Sequence, residues 1–524
     1  AFLGCAALLT ACGPVSPAGD GGGDAADIAS DAATDAPPDV SAFVMAPGAV
    51  VEVPLGADGT AAVRLATPTG SEQFVVVLAS TVVDGTVDAL GYTVATTATG
   101  AVTTPATVST CSLTPDRWRA MTLPPETPPS GTGPAVGAMR SITMDTPTGV
   151  TTIMAQAVAV GTRAVVWADM TPAHLANLDP AFVTQFLADF ENVILARERA
   201  IFGIESDLDG DGHIHLVFSP LTYRTAVAYF TGCDLVPASR GCRTSNHGEF
   251  LYLTPPASIL PPYNTVNAIK EILAHECSHL IHFNRKVLRN HLTTDWPDNS
   301  YMIEGVGGFG QDAIGYQAGN LYVTKAGLDG VDGFSFADVI PNGGIYDTTR
   351  DGLLRGGSYL WVRWLYDRAG GDQAEPDGTI TNRGGPSLIR TLLDSPVSMT
   401  AALPTAGVAN APIGDLVMDF YTTLAMSNRD AAGGVAPLNG CFAYLPTVRD
   451  PVSMDQRGCS VFASFHGMMM GGPATQPVDS ADGSLTTGGV EYIQVDAVAG
   501  QATRDVAVTV PTTGGVRVRI GRVR

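Results

Sequence analysis

Lysine is close to absent from this chain: Lys270, Lys286 and Lys325 are the only three in 524 residues, and arginine supplies the rest of the 29 cations. Against them stand 51 acidic residues, for a formal charge of −22. A surface of that sign repels phosphate backbones and anionic lipid, which excludes nucleic acid and acidic membrane faces as electrostatic partners. The lysine scarcity itself follows no site-like pattern and supports no mechanism. Apolar runs long enough to span a bilayer are missing too, and no stretch repeats at a period of roughly 20–50 residues, so neither a membrane-spanning bundle nor a solenoid fits. What the chain has is length and apolar content: 45% hydrophobic residues over 524 positions exceeds what one core usually serves and points to two or three domains.

Residues 1–12, AFLGCAALLTAC, read as the tail of an apolar export segment. Leu9-Thr10-Ala11-Cys12 resembles the lipobox of bacterial lipoproteins, which implies a lipid on Cys12 as the chain's one membrane attachment. Gly13 stands where an Asp would favour inner-membrane retention, so an outer-membrane or cell-surface lipoprotein is expected, with a plainly cleaved, secreted form as the alternative. An exported chain can oxidise its cysteines. Proximity in sequence pairs Cys233 with Cys242 and Cys441 with Cys459, leaving Cys111 and Cys277 over. Cys277 shares a helix side with Leu273 and Ile281 and reads as core.

The expected architecture is multidomain: an α+β domain between an N-terminal β-sandwich-like domain and a small C-terminal β module. Residues 13–42 carry hardly any large apolar side chain and form a tether. Short Val-, Thr- and Ala-rich runs over 43–162 make the N-terminal β domain. The α+β domain spans 163–458, with strands at 164–168, 214–218 and 249–253, a helix from Pro180 to about Ile201, and later helices from Ser358 to Arg368, near Ile389, and from Leu416 to Met426. The β-like runs EYIQVDAV, RDVAVTV and VRVRIGRV within 459–524 form the C-terminal module.

The chemistry concentrates at His275-Glu276-Cys277-Ser278-His279. Residues four apart on a helix share a face, so His275 and His279 can offer two imidazoles to one Zn²⁺. Glu276 beside them can take a proton from a metal-acidified water and is the expected general base. Ile269, Ile272, Leu273, Leu280 and Ile281 form the apolar stripe of a buried helix capped by Asn264 or Thr265, which puts the motif in mid-helix. A catalytic zinc takes a third protein ligand. His282 shares the face but lies about 10 Å along the axis from His275, too far for one ion. The H-E-x-x-H-x-x-G-x-x-H pattern fails as well, since His282 stands in place of its Gly and position 285 is Arg. Glu304, in Tyr301-Met302-Ile303-Glu304-Gly305, is the better third ligand. Gly305, Gly307, Gly308 and Gly310 weaken a helix by about 1 kcal/mol each, and close packing against the zinc helix would explain them.

With these segments in view the chain resembles the gluzincin clan and, within it, the hyicolysin-type secreted neutral metallopeptidases. LAHECSHLIHF resembles that family's zinc helix, IEGVGGFGQD its third-ligand segment and NHGEFLYL its edge strand; DLDGDGHIHLVF and GGSYLWVRWLYDRAGG extend the likeness over roughly residues 165 to 370. Ile303 departs from the family's usual Asn before the ligand Glu, and the loop bearing Cys233 and Cys242 looks like an addition. The resemblance implies that the α+β domain is a zincin-like catalytic domain and the protein a monomeric extracellular zinc endopeptidase acting on protein or peptide substrates. Glu249, Phe250, Leu251, Tyr252 and Leu253 would form the edge strand that binds substrate as an added β-strand. Tyr359 is the choice for stabilising the oxyanion, with Tyr346 and His291 equally available. Asp207, Asp209 and Asp211 alternate as in Ca²⁺ loops, but position 12 of an EF-hand count is Phe218, so a non-EF calcium site and a plain Asp-Gly turn stay open. A non-catalytic, surface-anchored adhesion lipoprotein on the same scaffold is the alternative function.

Overall fold

A computed structural model describes residues 41–524 except 84–85, 97–101, 109–110, 147–148, 223–226, 238, 240, 262, 293–295, 318–320, 340–348, 409–411 and 479–480. Cys12 with its export segment, the tether up to residue 40, and Tyr346 lie outside the described residues. The architecture is multidomain, with a β-rich N-terminal region, a helical centre and a small C-terminal β module of two hairpins, Val448–Arg449 with Gln456–Arg457 and Ser464–Phe465 with Met468–Met469. Among the described residues no helix is long and apolar enough to cross a membrane.

Two sheets form a sandwich. In the four-stranded sheet, Ala89–Ala95 alternates strictly, so Leu90, Tyr92 and Val94 point inward and their neighbours outward. In the six-stranded sheet, Gln73–Ser80 is buried on both faces: Phe74, Val76 and Leu78 meet the other sheet, while Val75, Val77 and Ala79 join the main core. C-terminal strands share these sheets. Val490–Asp496 and Val516–Arg522 flank Gln73–Ser80 on its two sides, and Thr503–Thr509 pairs with Thr60–Ala66. The helix Ile413–Met426 joins the sandwich to the centre, and hydrogen bonds from Tyr421 Oη to the Gly488 carbonyl (2.7 Å) and from Tyr492 Oη to the Tyr421 carbonyl (3.0 Å) seal the joint.

The second six-stranded sheet carries the parallel strands Ala164–Asp169, Ile214–Phe218 and Phe250–Leu253. Met139–Thr146 and Gly149–Val160 extend it antiparallel on one side, and the three-residue strand Ala228–Phe230 closes the other. Val166, Leu216 and Leu251 face the helices, whereas Val165, Val217 and Tyr252 form a smaller core beneath. The stretch expected as one helix from Pro180 to Ile201 is helical throughout, with a π turn at Phe190–Ile194 inside it.

Cys233 bonds to Cys242, but Cys441 bonds to Cys111 and not to Cys459. Cys459 follows Gly458, whose N–H is held by Asp312 Oδ1 at 2.6 Å, and this anchors it in the helical core as a buried free thiol. Cys277 is likewise free and fully buried.

Candidate metal centre

The motif helix runs from Val266 to Phe283, and Thr265 caps it by accepting the Ala268 N–H (3.2 Å). Its buried side carries Ile269, Leu273, Cys277 and Leu280 into the core, which leaves His275 and His279 one turn apart on the cleft side. A second helix, Ser300–Ile314, starts at the cap Asn299 and stops at Gly315, whose φ of 97° is the left-handed geometry that favours glycine. Its first turns carry Glu304. The Nε2 atoms of His275 and His279 are 2.9 Å apart, and Glu304 oxygens lie 3.2 Å from the first and 3.9 Å from the second.

These three atoms suit a tetrahedral zinc, whose N and O ligands at about 2.0–2.1 Å stand about 3.3 Å from one another. The His275 tautomer suits it as well. Gln311 Oε1 sits 3.4 Å from His275 Nδ1 while Gln311 Nε2 donates to Glu271, so the His275 proton belongs on Nδ1 and its Nε2 lone pair faces the cluster. Burial pushes both imidazoles below their usual pKa, with His275 adding to the effect on His279, so the rings are neutral as metal ligation requires.

Glu276 leans the other way. Its Oε2 accepts the Phe230 N–H at 2.9 Å, and burial raises its carboxyl above the usual range. Phe230 ends the strand Ala228–Phe230, the last strand on this side of the sheet among the described residues, so a sheet edge lies beside the general base expected from the sequence. That corrects the edge-strand assignment. Phe250–Leu253 is interior, covered on one side by Ala228–Phe230 and paired on the other with Ile214–Phe218, while Glu249 is buried and accepts the Leu208 N–H (3.0 Å). The true edge is three residues long, too short to stand out as an alternating run.

The glycines of the second helix divide between two neighbours. A Cβ on Gly307 would sit 2.6 Å from His275 Cε1, and one on Gly310 would strike Ser278 Oγ, so these two admit the motif helix. Gly305 and Gly308 instead face Ser358 and Tyr359 on a long helix, Asp351–Arg368, which begins seven residues before its expected start at Ser358. Tyr359 lines a small cavity beside the cluster together with Gln311, Gln317, Thr324 and Arg355. Its hydroxyl, however, is turned to Asp312 Oδ2 (3.3 Å) and the Gly458 carbonyl (3.4 Å), which removes it from the oxyanion role. His291 is exposed, in a turn beyond the motif helix. Arg355, which the sequence did not single out, is ion-paired with Glu304. His282 is fully buried, with Nε2 3.1 Å from Asp298 and its ring against Trp296, so it braces the end of the motif helix.

The acidic turn is spoken for locally. Asp207, Asp209 and Asp211 accept the N–H groups of Gly212, Asp211 and His213, which is the Asp-Gly turn itself. Asp209 and Asp211 oxygens also approach His215, and Asp207 and Asp209 approach Glu249. His215 Nδ1 accepts the Trp167 indole N–H (3.0 Å), which places the ring's N–H on Nε2 as a donor toward Asp209 (3.3 Å). No protein-family model and no curated protein matches this chain, so its own residues carry the functional reading.

Proposed function

We propose that this protein is an exported zinc endopeptidase that hydrolyses peptide bonds in protein or peptide substrates, with His275, His279 and Glu304 as ligands and Glu276 as general base. The observation that carries the reading is the convergence of two imidazole nitrogens and one carboxylate oxygen within 4.8 Å of one another, with the Glu276 carboxyl, held by the Phe230 N–H, on the residue next to His275. The chemistry a zinc ion supplies when bound is carbonyl polarisation and a water acidified to a pKa of about 7. Gln311 holds the His275 tautomer, and the buried surroundings keep both imidazoles unprotonated. Glu276 takes the water's proton and returns it to the leaving amine nitrogen. The edge at Ala228–Phe230 offers main-chain hydrogen bonds to an extended substrate, the recognition mode of strand addition.

The test is a zinc titration with a peptide-library digest of the wild type and of Glu276→Gln. One zinc per chain, endoproteolysis by the wild type, and a rate lower by about 10²–10⁴-fold in a variant that still binds zinc are expected. Unchanged proteolysis in zinc-loaded Glu276→Gln would remove the role given to Glu276. Stoichiometric zinc with no cleavage by the wild type would favour an adhesion protein on this scaffold.

A further inference from the structure

Peptide hydrolysis places a negative charge on the carbonyl oxygen when the water oxygen bonds to the carbonyl carbon, the C=O π pair moves to oxygen and the water's proton passes to Glu276. When the carbonyl re-forms, the C–N bond breaks and that proton goes to nitrogen. A group must meet the transient anion, and donors aimed at it account for much of the catalysis. Of the three side chains that the sequence offers for this role, Tyr359 donates elsewhere and His291 is exposed in a turn; Tyr346 lies outside the described residues.

Resting on the zinc peptidase reading above, we propose that Arg355 is a catalytic residue that binds the substrate's carbonyl oxygen as it becomes an anion. Arg355 lines the cavity that also touches His275 and Glu304, and its guanidinium pairs with the Glu304 Oε2 that lies 3.2 Å from His275 Nε2. A reacting carbonyl at the cluster is therefore within a side chain's reach of this cation. Asp351, one turn earlier on the same helix and 3.6 Å away, steadies the guanidinium from behind. A guanidinium has five N–H donors, so the pair with Glu304 leaves others for substrate. Gly356 and Gly357 follow Arg355, and a Cβ on Gly356 would strike the Val323 carbonyl, so close helix packing fixes where the guanidinium can sit.

The test compares wild type, Arg355→Gln and Arg355→Lys by three readouts: zinc affinity from chelator competition, Ki for a phosphinic peptide that mimics the tetrahedral species, and kcat with KM. For Arg355→Gln we expect kcat to fall by about 10²–10³-fold, the phosphinic Ki to rise by a similar factor, and zinc affinity and KM to stay within about threefold. Arg355→Lys, which keeps the charge and loses the fork, should recover part of both losses. An unchanged phosphinic Ki, or a zinc affinity that falls as far as kcat, would overturn the assignment and make Arg355 a positioning residue for Glu304. A wild type that binds zinc but cleaves nothing, or binds no zinc, overturns the underlying peptidase reading instead, and that arm is read before any variant.

Discussion

Single side chains at this centre are held by contacts tight enough to be tested one atom at a time. Gly307 is the clearest case, because an added methyl meets the His275 ring itself and not a flexible tip. Gly307→Ala should weaken zinc binding at least tenfold and cost about 1–3 kcal/mol of stability through overpacking, although Ala is the better helix former. Gly352→Ala is the control, since its methyl would make only ordinary contact with Ala326 Cβ at 3.5 Å; zinc affinity should not change. Chelator competition and thermal unfolding read both. A second residue offers a pH signature. Asp234, fully buried within the loop closed by Cys233 and Cys242, accepts from Tyr252 Oη (2.6 Å) and the Asn246 N–H (2.7 Å), yet burial pushes its carboxyl up to about 6. A carboxyl with a raised native pKa contributes its full stability below the unfolded pKa and loses it as pH rises through the native value. Between pH about 3.5 and 7.5, Asp234→Asn should therefore gain up to about 3 kcal/mol relative to wild type. Urea unfolding at the two pH values measures it, and a constant difference would contradict the linkage.

At the scale of elements, the short edge strand and the motif helix act as one unit, because the Phe230 N–H is spent on Glu276 and not on the sheet. Proline is tolerated on a strand edge whose N–H points outward, so Phe230→Pro can remove this donor while the pairing of Tyr229 with Tyr252 survives. Phe230→Ala keeps the donor and loses the same packing against Phe283. The two variants should have similar melting temperatures, with kcat/KM lower in Phe230→Pro by a further tenfold or more, the worth of a hydrogen bond to a charged group. Equal kcat/KM values would show that the strand does not orient Glu276. Elements were legible in proportion to their length and periodicity. The motif helix and the helix at 413–426 carry apolar residues at helical spacing, and the strands at 164–169 and 214–218 are unbroken runs buried on both faces. Ala228–Phe230 has too few residues to show a period, and the longer run Glu249–Leu253 therefore took its place in the sequence reading. Arg355 was invisible for another reason: its role depends on two helices crossing, which no spacing along one of them reveals.

Across the whole molecule, contacts between distant parts of the chain are what the sequence concealed most completely. The runs EYIQVDAV and VRVRIGRV read as strands on sight, yet their partner is Gln73–Ser80, more than four hundred residues away, and nothing local to either segment records it. The same blindness paired Cys441 with its nearer neighbour Cys459, when the bond is to Cys111, 330 residues back, with Cα atoms 5.4 Å apart. Closing so long a loop restricts the unfolded chain strongly, and losing a native disulfide typically costs about 2–5 kcal/mol. This bond joins the segment after the sandwich's edge strand Ala106–Thr107 to the turn Gly440–Phe442 that follows the joining helix, so it ties the sandwich to the helical centre. Cys111→Ser and Cys441→Ser should each lower the melting temperature by the same amount, and the double variant should add little, because both remove one bond. Cys459→Ala, which deletes only a buried thiol, should cost far less than either. Non-reducing peptide mapping should recover the Cys111–Cys441 and Cys233–Cys242 pairs with Cys277 and Cys459 free. If Cys459→Ala matched Cys441→Ser while Cys111→Ser were silent, the chain would instead close its disulfide within the C-terminal region, and the sandwich would be held to the centre by packing alone.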